Sequence, residues 1–220
     1  MNEFPVWKKA LSYFWEFNLE KINSEFSGEL QVTYHKNNLK LITENAIYSF
    51  GNHYTSFKEA FQYIQIKDQK VESVLVLGLG LGSVIQQLEA HQTIKNITTV
   101  EIDKDIIYLC KKYLNTKYNI EYINNDALKF VNENKKKYDL IIVDLYIDDV
   151  TPSNFQTKYF LEQLHNLVSI KGMLLFSKLE ISIQNKVEND NFSKLFLSIF
   201  PQSFSINTNG NKIFIYQDKN

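Results

Sequence analysis

Hydrophobic and polar positions change their spacing twice along this chain, and each change marks a new kind of structure. Residues 1–25 are rich in aromatics (Phe4, Trp7, Tyr13, Phe14, Trp15, Phe17), and Pro5 predicts the start of a helix running to about Phe17, covering a sheet or a neighbouring subunit. Leu30–Tyr34 and Leu39–Ile42 then alternate apolar with polar around Asn37-Asn38, the pattern of an antiparallel hairpin. A short strand, Ala46–Phe50, ends at Gly51. From about Ser56 the period becomes helical, with Phe57, Ala60, Phe61 and Ile64 on one face.

From residue 71 to 178 the pattern alternates short apolar runs with amphipathic helices. The runs are Ser73–Leu77, Ile97–Glu101, Ile120–Ile123, Leu140–Asp144 and Met173–Ser177. Asp103 and Asp126 stand where helix caps belong, and Gly172 breaks the last helix. Unbroken apolar runs without alternation are strands buried on both faces, and their repetition with helices implies a parallel sheet. A final helix carries Phe192, Leu195, Phe196 and Ile199 and stops at Pro201; Phe204–Ile206 and Ile213–Tyr216 follow as a second hairpin. This order implies an α/β fold of the Rossmann-like, class I methyltransferase type. Its sheet is seven-stranded and mostly parallel, with a C-terminal antiparallel hairpin and a small N-terminal β appendage. The expected division is residues 1–54 for the N-terminal helix and appendage, and 55–220 for the Rossmann-like domain.

Composition narrows the chemistry. At 44% hydrophobic residues the chain can fill a core, and its net charge of −1 offers no field for nucleic acid. All 24 basic residues are lysines, so the arginine fork favoured for phosphates and base edges is missing. The start of the chain lacks a signal-type apolar region and no run reaches transmembrane length, which predicts a cytoplasmic protein away from membranes. Cys110 is the one cysteine, and His35, His53, His91 and His165 lack metal-ligand spacing, so no metal site is expected.

The candidate chemistry gathers where strands end. Three of the seven glycines, Gly78, Gly80 and Gly82, follow the first apolar run, with Ser83 as a helix cap. A strand, a glycine turn and a helix start form a nucleotide-type binding corner. Glu101, Asp126 and Asp144 each end or follow a strand in register with it: Glu101 to accept ribose hydroxyls, Asp126 an adenine amino group, Asp144 beside the reacting group. Each has a plainer reading, as a surface acid, a helix cap and a strand-end acid. Ser83 at the sixth position of the glycine motif speaks against a dinucleotide and for S-adenosylmethionine. His53 and Tyr54 are candidates for the pocket mouth, and Tyr146 for stacking on a substrate.

Val74–Ser83, Thr99-Val100-Glu101-Ile102-Asp103, Asn125-Asp126-Ala127, Tyr138–Asp144 and Gly172–Leu175 together resemble the spermidine synthases and their methyltransferase-fold relatives. The resemblance implies a cofactor set of Gly78, Leu79, Gly80, Gly82, Glu101, Ile102, Asp126 and Ala127, with Asp144 catalytic and holding a reacting amine. The candidate substrate pocket takes Tyr48 from the resemblance and adds His53, Tyr54, Tyr146 and Asp148, and the aromatic N-terminus and β appendage suggest a homodimer, as in that family. Three positions depart from the family: Leu81 replaces an acid that pairs with the amine of decarboxylated S-adenosylmethionine, Ile147 replaces a second loop acid, and Tyr48 a glutamine. An ammonium buried without its partner costs about 3–5 kcal/mol. The expected function is therefore methyl transfer from intact S-adenosylmethionine to a small-molecule acceptor such as an amine. The alternatives are a divergent aminopropyltransferase using the decarboxylated form, with Asp148 or Asp149 as the missing acid, and a non-catalytic member of the fold.

Overall fold

The computed structural model describes residues 5–44, 46–89, 93–147 and 150–218. Two sheets organise them. The first is antiparallel, with strands β1 (Phe17–Ser24), β2 (Gly28–His35), β3 (Asn38–Ile42) and β4 (Ile47–Ser49) in sequence order. The second holds β5 (Ser73–Leu77), β6 (Asn96–Glu101), β7 (Asn119–Asn124), β8 (Tyr138–Val143), β9 (Val168–Leu179), β10 (Phe204–Asn207) and β11 (Asn211–Gln217). Their order is β10-β11-β9-β8-β5-β6-β7, with β11 alone running against its neighbours, as the class I methyltransferase pattern requires.

Alternate residues of the buried strands feed two cores. Val74, Val76, Ile97, Leu140, Ile142 and Leu175 face α2 (Ser56–Tyr63), α3 (Ser83–Gln87) and α4 (Lys104–Tyr113). Leu30, Val32 and Leu41 of the first sheet join this same core. On the other face, Leu75, Leu77, Ile141, Val143 and Phe176 meet α5 (Ala127–Glu133), α6 (Lys158–Leu167) and α7 (Ile183–Ile199). Phe176, Phe192 and Phe214 pack there with ring centroids about 5 Å apart.

The first 25 residues differ from expectation. The helix, α1, spans only Val6–Leu11 and buries no residue, so it covers no sheet of its own chain. Phe17 already begins β1, a strand the hydrophobic pattern hid. The cause is a bulge between Asn18 and Glu20, which puts the apolar positions Leu19 and Ile22 out of strict alternation. A similar irregularity affects β9, which starts at Val168, five residues before the expected Met173. Its pairing with β8 jumps between Tyr138 and Leu140, and Lys171 there has φ 61°. No helix among the described residues is long and apolar enough to cross a membrane.

Asp139 ties the starts of three parallel strands together. Its Oδ2 accepts from the Glu72 and Ser73 N–H groups (both 2.9 Å), and its Oδ1 from Ser169 Oγ (2.9 Å). Burial pushes its carboxyl up, but these donors outweigh burial and hold it below the ordinary 3.8. Asp139→Ala is expected to cost about 2–3 kcal/mol, a Tm drop of roughly 4–12 °C near neutral pH. Because the folded value is depressed, the contribution is present above about pH 4 and is lost as pH falls through the folded value. Thermal unfolding of both proteins across that range checks this; a gap that widened in acid would contradict it.

Candidate active site

The ligand crevice of such a sheet lies above the strand from which the chain departs in both directions. Here that strand is β5, flanked by β6 on one side and β8 on the other. A cleft of about 530 Å³ opens at its carboxyl end. Of the expected residues, Gly78, Leu79, Gly80, Glu101, Ile102, Asp126, Ala127, Asp144, Tyr48, Tyr54 and Tyr146 line it.

The glycine turn is held from several sides. All three glycines have positive φ (87°, 51° and 78°). A Cβ on Gly78 would lie 2.2 Å from the Asp144 carbonyl oxygen, and one on Gly80 would lie 2.9 Å from that of Tyr48. Gly82 faces away from the cleft: it is the N-cap of α3 and packs against Leu114 and Cys110. Ser83 caps nothing; its hydroxyl pairs with Ser49 Oγ, joining α3 to β4. Leu81 is buried in the core with Val84 and Ile85 and is no part of the cleft wall. The contrast drawn from its sequence position, an apolar contact where an ammonium would lie, therefore has no counterpart in this geometry.

Glu101 binds the turn directly. Leu79 N–H donates to its Oε2 (3.0 Å) and Asp103 N–H to its Oε1 (3.1 Å). Burial is the main influence on this carboxyl and raises it above its ordinary value against those donors. Each oxygen keeps a further lone pair for a diol. Asp126 caps α5 by accepting from Lys129 N–H (2.9 Å) through Oδ1 while lining the cleft, so its plainer reading and its candidate role coexist.

Across the cleft, Asp144 and Tyr54 form the reactive-looking pair. The Tyr54 hydroxyl lies 2.9 and 2.8 Å from the two Asp144 oxygens and shares one proton between them. Burial pushes the Asp144 carboxyl up from 3.8 to about 6, opposed by the Tyr54 and Ser177 hydroxyls. Burial and the adjacent Asp144 charge keep the Tyr54 phenol protonated. Tyr146 does not stack freely: its hydroxyl is 3.0 Å from Ser177 Oγ and accepts from Asn211 Nδ2 (3.1 Å). Asn211 also donates to Ser177 Oγ (3.0 Å) and accepts from Ser56 Oγ (3.0 Å). Ser177 and Asn211 were not anticipated; the signal available for Ser177 was the polar pair Ser177-Lys178 inside the apolar run Met173–Leu179. His53 is exposed and packs on Phe50 (4.8 Å between ring centres) rather than lining the cleft. Asp148, Asp149 and His91 lie outside the described residues.

The β appendage completes the cleft on the Glu101 side. Phe26 and Ser27, in the β1–β2 turn, line it, and Ser24 and Ser27 hydroxyls both donate to Asp103 Oδ2. Asp103 also caps α4 through Asp105 N–H, so the appendage is anchored beside Glu101.

With this geometry in view, comparison with known proteins decides the lineage. Residues 57–216 match the family model of the spermine/spermidine synthase domain. The chain belongs to that family. A polyamine aminopropyltransferase of Clostridium botulinum (strain Eklund 17B / Type B) is 36% identical over 113 residues, 48% of this chain and 39% of that protein. The matches to the first curated relatives span about 28–39% of those relatives' length. Among solved structures, a spermidine synthase in complex with the transition-state analogue AdoDATO superposes with a TM-score of 0.74 at 13% identity, covering 92% of this chain and 74% of that one. Human methyltransferase-like protein 13 in complex with SAH gives 0.62 at 18% identity, covering 73% and 81%. Both share the fold. The relatives' names favour the aminopropyltransferase alternative over the methyl transfer expected from Leu81.

The raised Asp144 carboxyl has a stability consequence. Its folded value exceeds the unfolded one, so its charge destabilises the fold above about pH 6, and the penalty fades as pH falls toward about 4. Asp144→Asn keeps an acceptor for Tyr54 without the charge. It is expected to be more stable than the parent near pH 8 by roughly 1–3 kcal/mol, with Tm higher by about 2–10 °C. The advantage should vanish near pH 4. Equal melting temperatures near pH 8 would refute the burial argument.

Proposed function

We propose that this chain transfers an aminopropyl group from decarboxylated S-adenosylmethionine to a small amine. The observation that carries the reading is the Asp144–Tyr54 pair, which faces the Glu101 and glycine-turn half of the same cleft in a member of the spermine/spermidine synthase domain family. The cleft suits an adenosyl donor: Glu101 keeps lone pairs for a ribose diol, Asp126 offers a carboxylate, and Ile102, Ala127 and Val100 give apolar surface for a base.

When bound, the sulfonium donor supplies an electrophilic methylene, whose bond to sulfur breaks as the amine forms the new C–N bond, releasing a neutral thioether and one proton. The protein's part is alignment and proton handling. Asp144, charged above about pH 6, anchors the acceptor ammonium and takes the proton it must lose. Tyr54 holds that carboxylate in place with its shared hydroxyl proton. The Ser56–Asn211–Ser177 chain braces the wall behind it, and the buried Tyr146 hydroxyl completes that brace.

Incubation with either donor form and a panel of amines, read by mass spectrometry, tests the reading. Aminopropylated amine together with 5′-methylthioadenosine is the expected product; a methylated amine formed only from the intact donor would replace it with methyl transfer. Asp144→Asn should lower kcat/KM about 10²–10⁴-fold. The parent's rate should fall as pH drops below about 6. Tyr54→Phe removes a donor that favours the charged carboxylate, so this acid limb should move to higher pH; a limb that stayed in place would remove Tyr54 from the role.

A further inference from the structure

We infer that Asn211, at the start of β11, is a positioning residue for Asp144: it turns the Ser177 hydroxyl so that the one proton of that hydroxyl points at the carboxylate. The part this plays in turnover rests on the aminopropyl-transfer reading; the order of the hydrogen bonds does not.

The C-terminal hairpin delivers Asn211 to the cleft. Thr208 closes the β10–β11 turn on it, donating from its N–H (2.8 Å) and its hydroxyl (3.0 Å) to the Asn211 carbonyl oxygen. Glu180 N–H, just past β9, holds the carbonyl oxygen of Gly210 (2.8 Å). The Asn211 side chain then meets three hydroxyls from three other elements: Ser56 at the start of α2, Ser177 in β9 and Tyr146 after β8. Ser56, Ser177 and Asn211 are all buried, so their polar atoms find their partners inside the protein.

Charge fixes the direction of these bonds. A carboxylate only accepts, and Asp144 meets two hydroxyls, Tyr54 and Ser177, each with one proton to give. With its proton on Asp144, the Ser177 oxygen has lone pairs left and needs a donor. A side-chain amide carries donors at one end only. That end of Asn211 faces Ser177 (3.0 Å) and Tyr146 (3.1 Å), and its carbonyl end accepts from Ser56 (3.0 Å). The chain thus runs in one sense, from Ser56 through Asn211 and Ser177 to Asp144. A proton aimed at a carboxylate favours its charged form, the form that anchors an ammonium and accepts its proton. Without the amide, the Ser177 hydroxyl is free to turn its proton to the Tyr146 oxygen, 3.0 Å away. Among the described residues, the titratable groups that face Asp144 are the Tyr54 and Tyr146 phenols. Burial and the Asp144 charge push both up, so they keep their protons while Asp144 titrates.

Carbon-13 NMR of protein labelled at its aspartate carboxyls reads the Asp144 titration without any substrate, the resonance being assigned by its loss in Asp144→Asn. Ser177→Ala is expected to raise the midpoint by about one pH unit. Asn211→Leu, close to the parent side chain in size, is expected to raise it by about half to one pH unit. Asn211→Ala carries the same expectation and guards against misfolding of the leucine variant. In the Ser177→Ala background neither Asn211 substitution should move the midpoint further, because the route through Ser177 is already gone. A midpoint left in place by Ser177→Ala or by both Asn211 variants, or raised equally by the Asn211 variants with and without Ser177, overturns the inference. Turnover is read separately with the decarboxylated donor, and the acid limb of the rate should move up in Asn211→Leu by as much as the midpoint does. A limb that stays while the midpoint moves overturns the part in turnover. If no amine releases 5′-methylthioadenosine, the aminopropyl reading fails while the carboxyl titration still decides the order of the bonds.

Discussion

The Glu101 carboxylate, between the Leu79 and Asp103 amides, is the contact on which the site depends. A glycine turn with three positive φ angles has no side chains to fix its path, and the loss of backbone entropy must be met by something outside the turn. Glu101 meets part of it by grasping Leu79 from the end of β6, while β8 closes from the other side, its Asp144 carbonyl oxygen against Gly78. The second oxygen of Glu101 passes the restraint to Asp103, which caps α4 and receives Ser24 and Ser27 from the appendage. One carboxylate thus joins the central strand, the next βα unit and the N-terminal hairpin.

The parts of this arrangement that could be read from the chain are those whose signal is local. Ser73–Leu77 is a strand with the expected ends because a run buried on both faces needs no partner to be recognised. Glu101, Asp126 and Asp144 were legible because each follows such a run, and a parallel sheet brings all strand ends to one edge. What escaped has partners far away in sequence. Asn211 meets Ser56 across 155 positions, and nothing near either residue announces it. Asp139 looked like one more polar residue before an apolar run, yet it clamps three strand starts. β1 was hidden by a bulge, which breaks the very period by which strands are recognised. Leu81 misled for a different reason: a position within a motif specifies a place along the chain, not the direction of its side chain. Alternation of the glycines sends Leu81 into the core while Leu79 reaches the cleft.

The two halves of the cleft handle charge in opposite ways. On one side, Glu101 and Asp126 accept from backbone amides, so their position is fixed by the fold. Across the cleft, Asp144 meets side-chain hydroxyls, Tyr54 and Ser177, and burial pushes its carboxyl up to about 6. Burial of Asp144 raises its carboxyl against those hydroxyls, at the expense of fold stability near neutral pH. The difference follows from where each acid stands: Asp126 caps the helix it precedes and Glu101 stands between the glycine turn and the cap residue of α4, whereas Asp144 opens a loop. Strand-end geometry therefore gives two of the acids backbone partners and the third side-chain hydroxyl partners, before the identity of any substrate enters the argument.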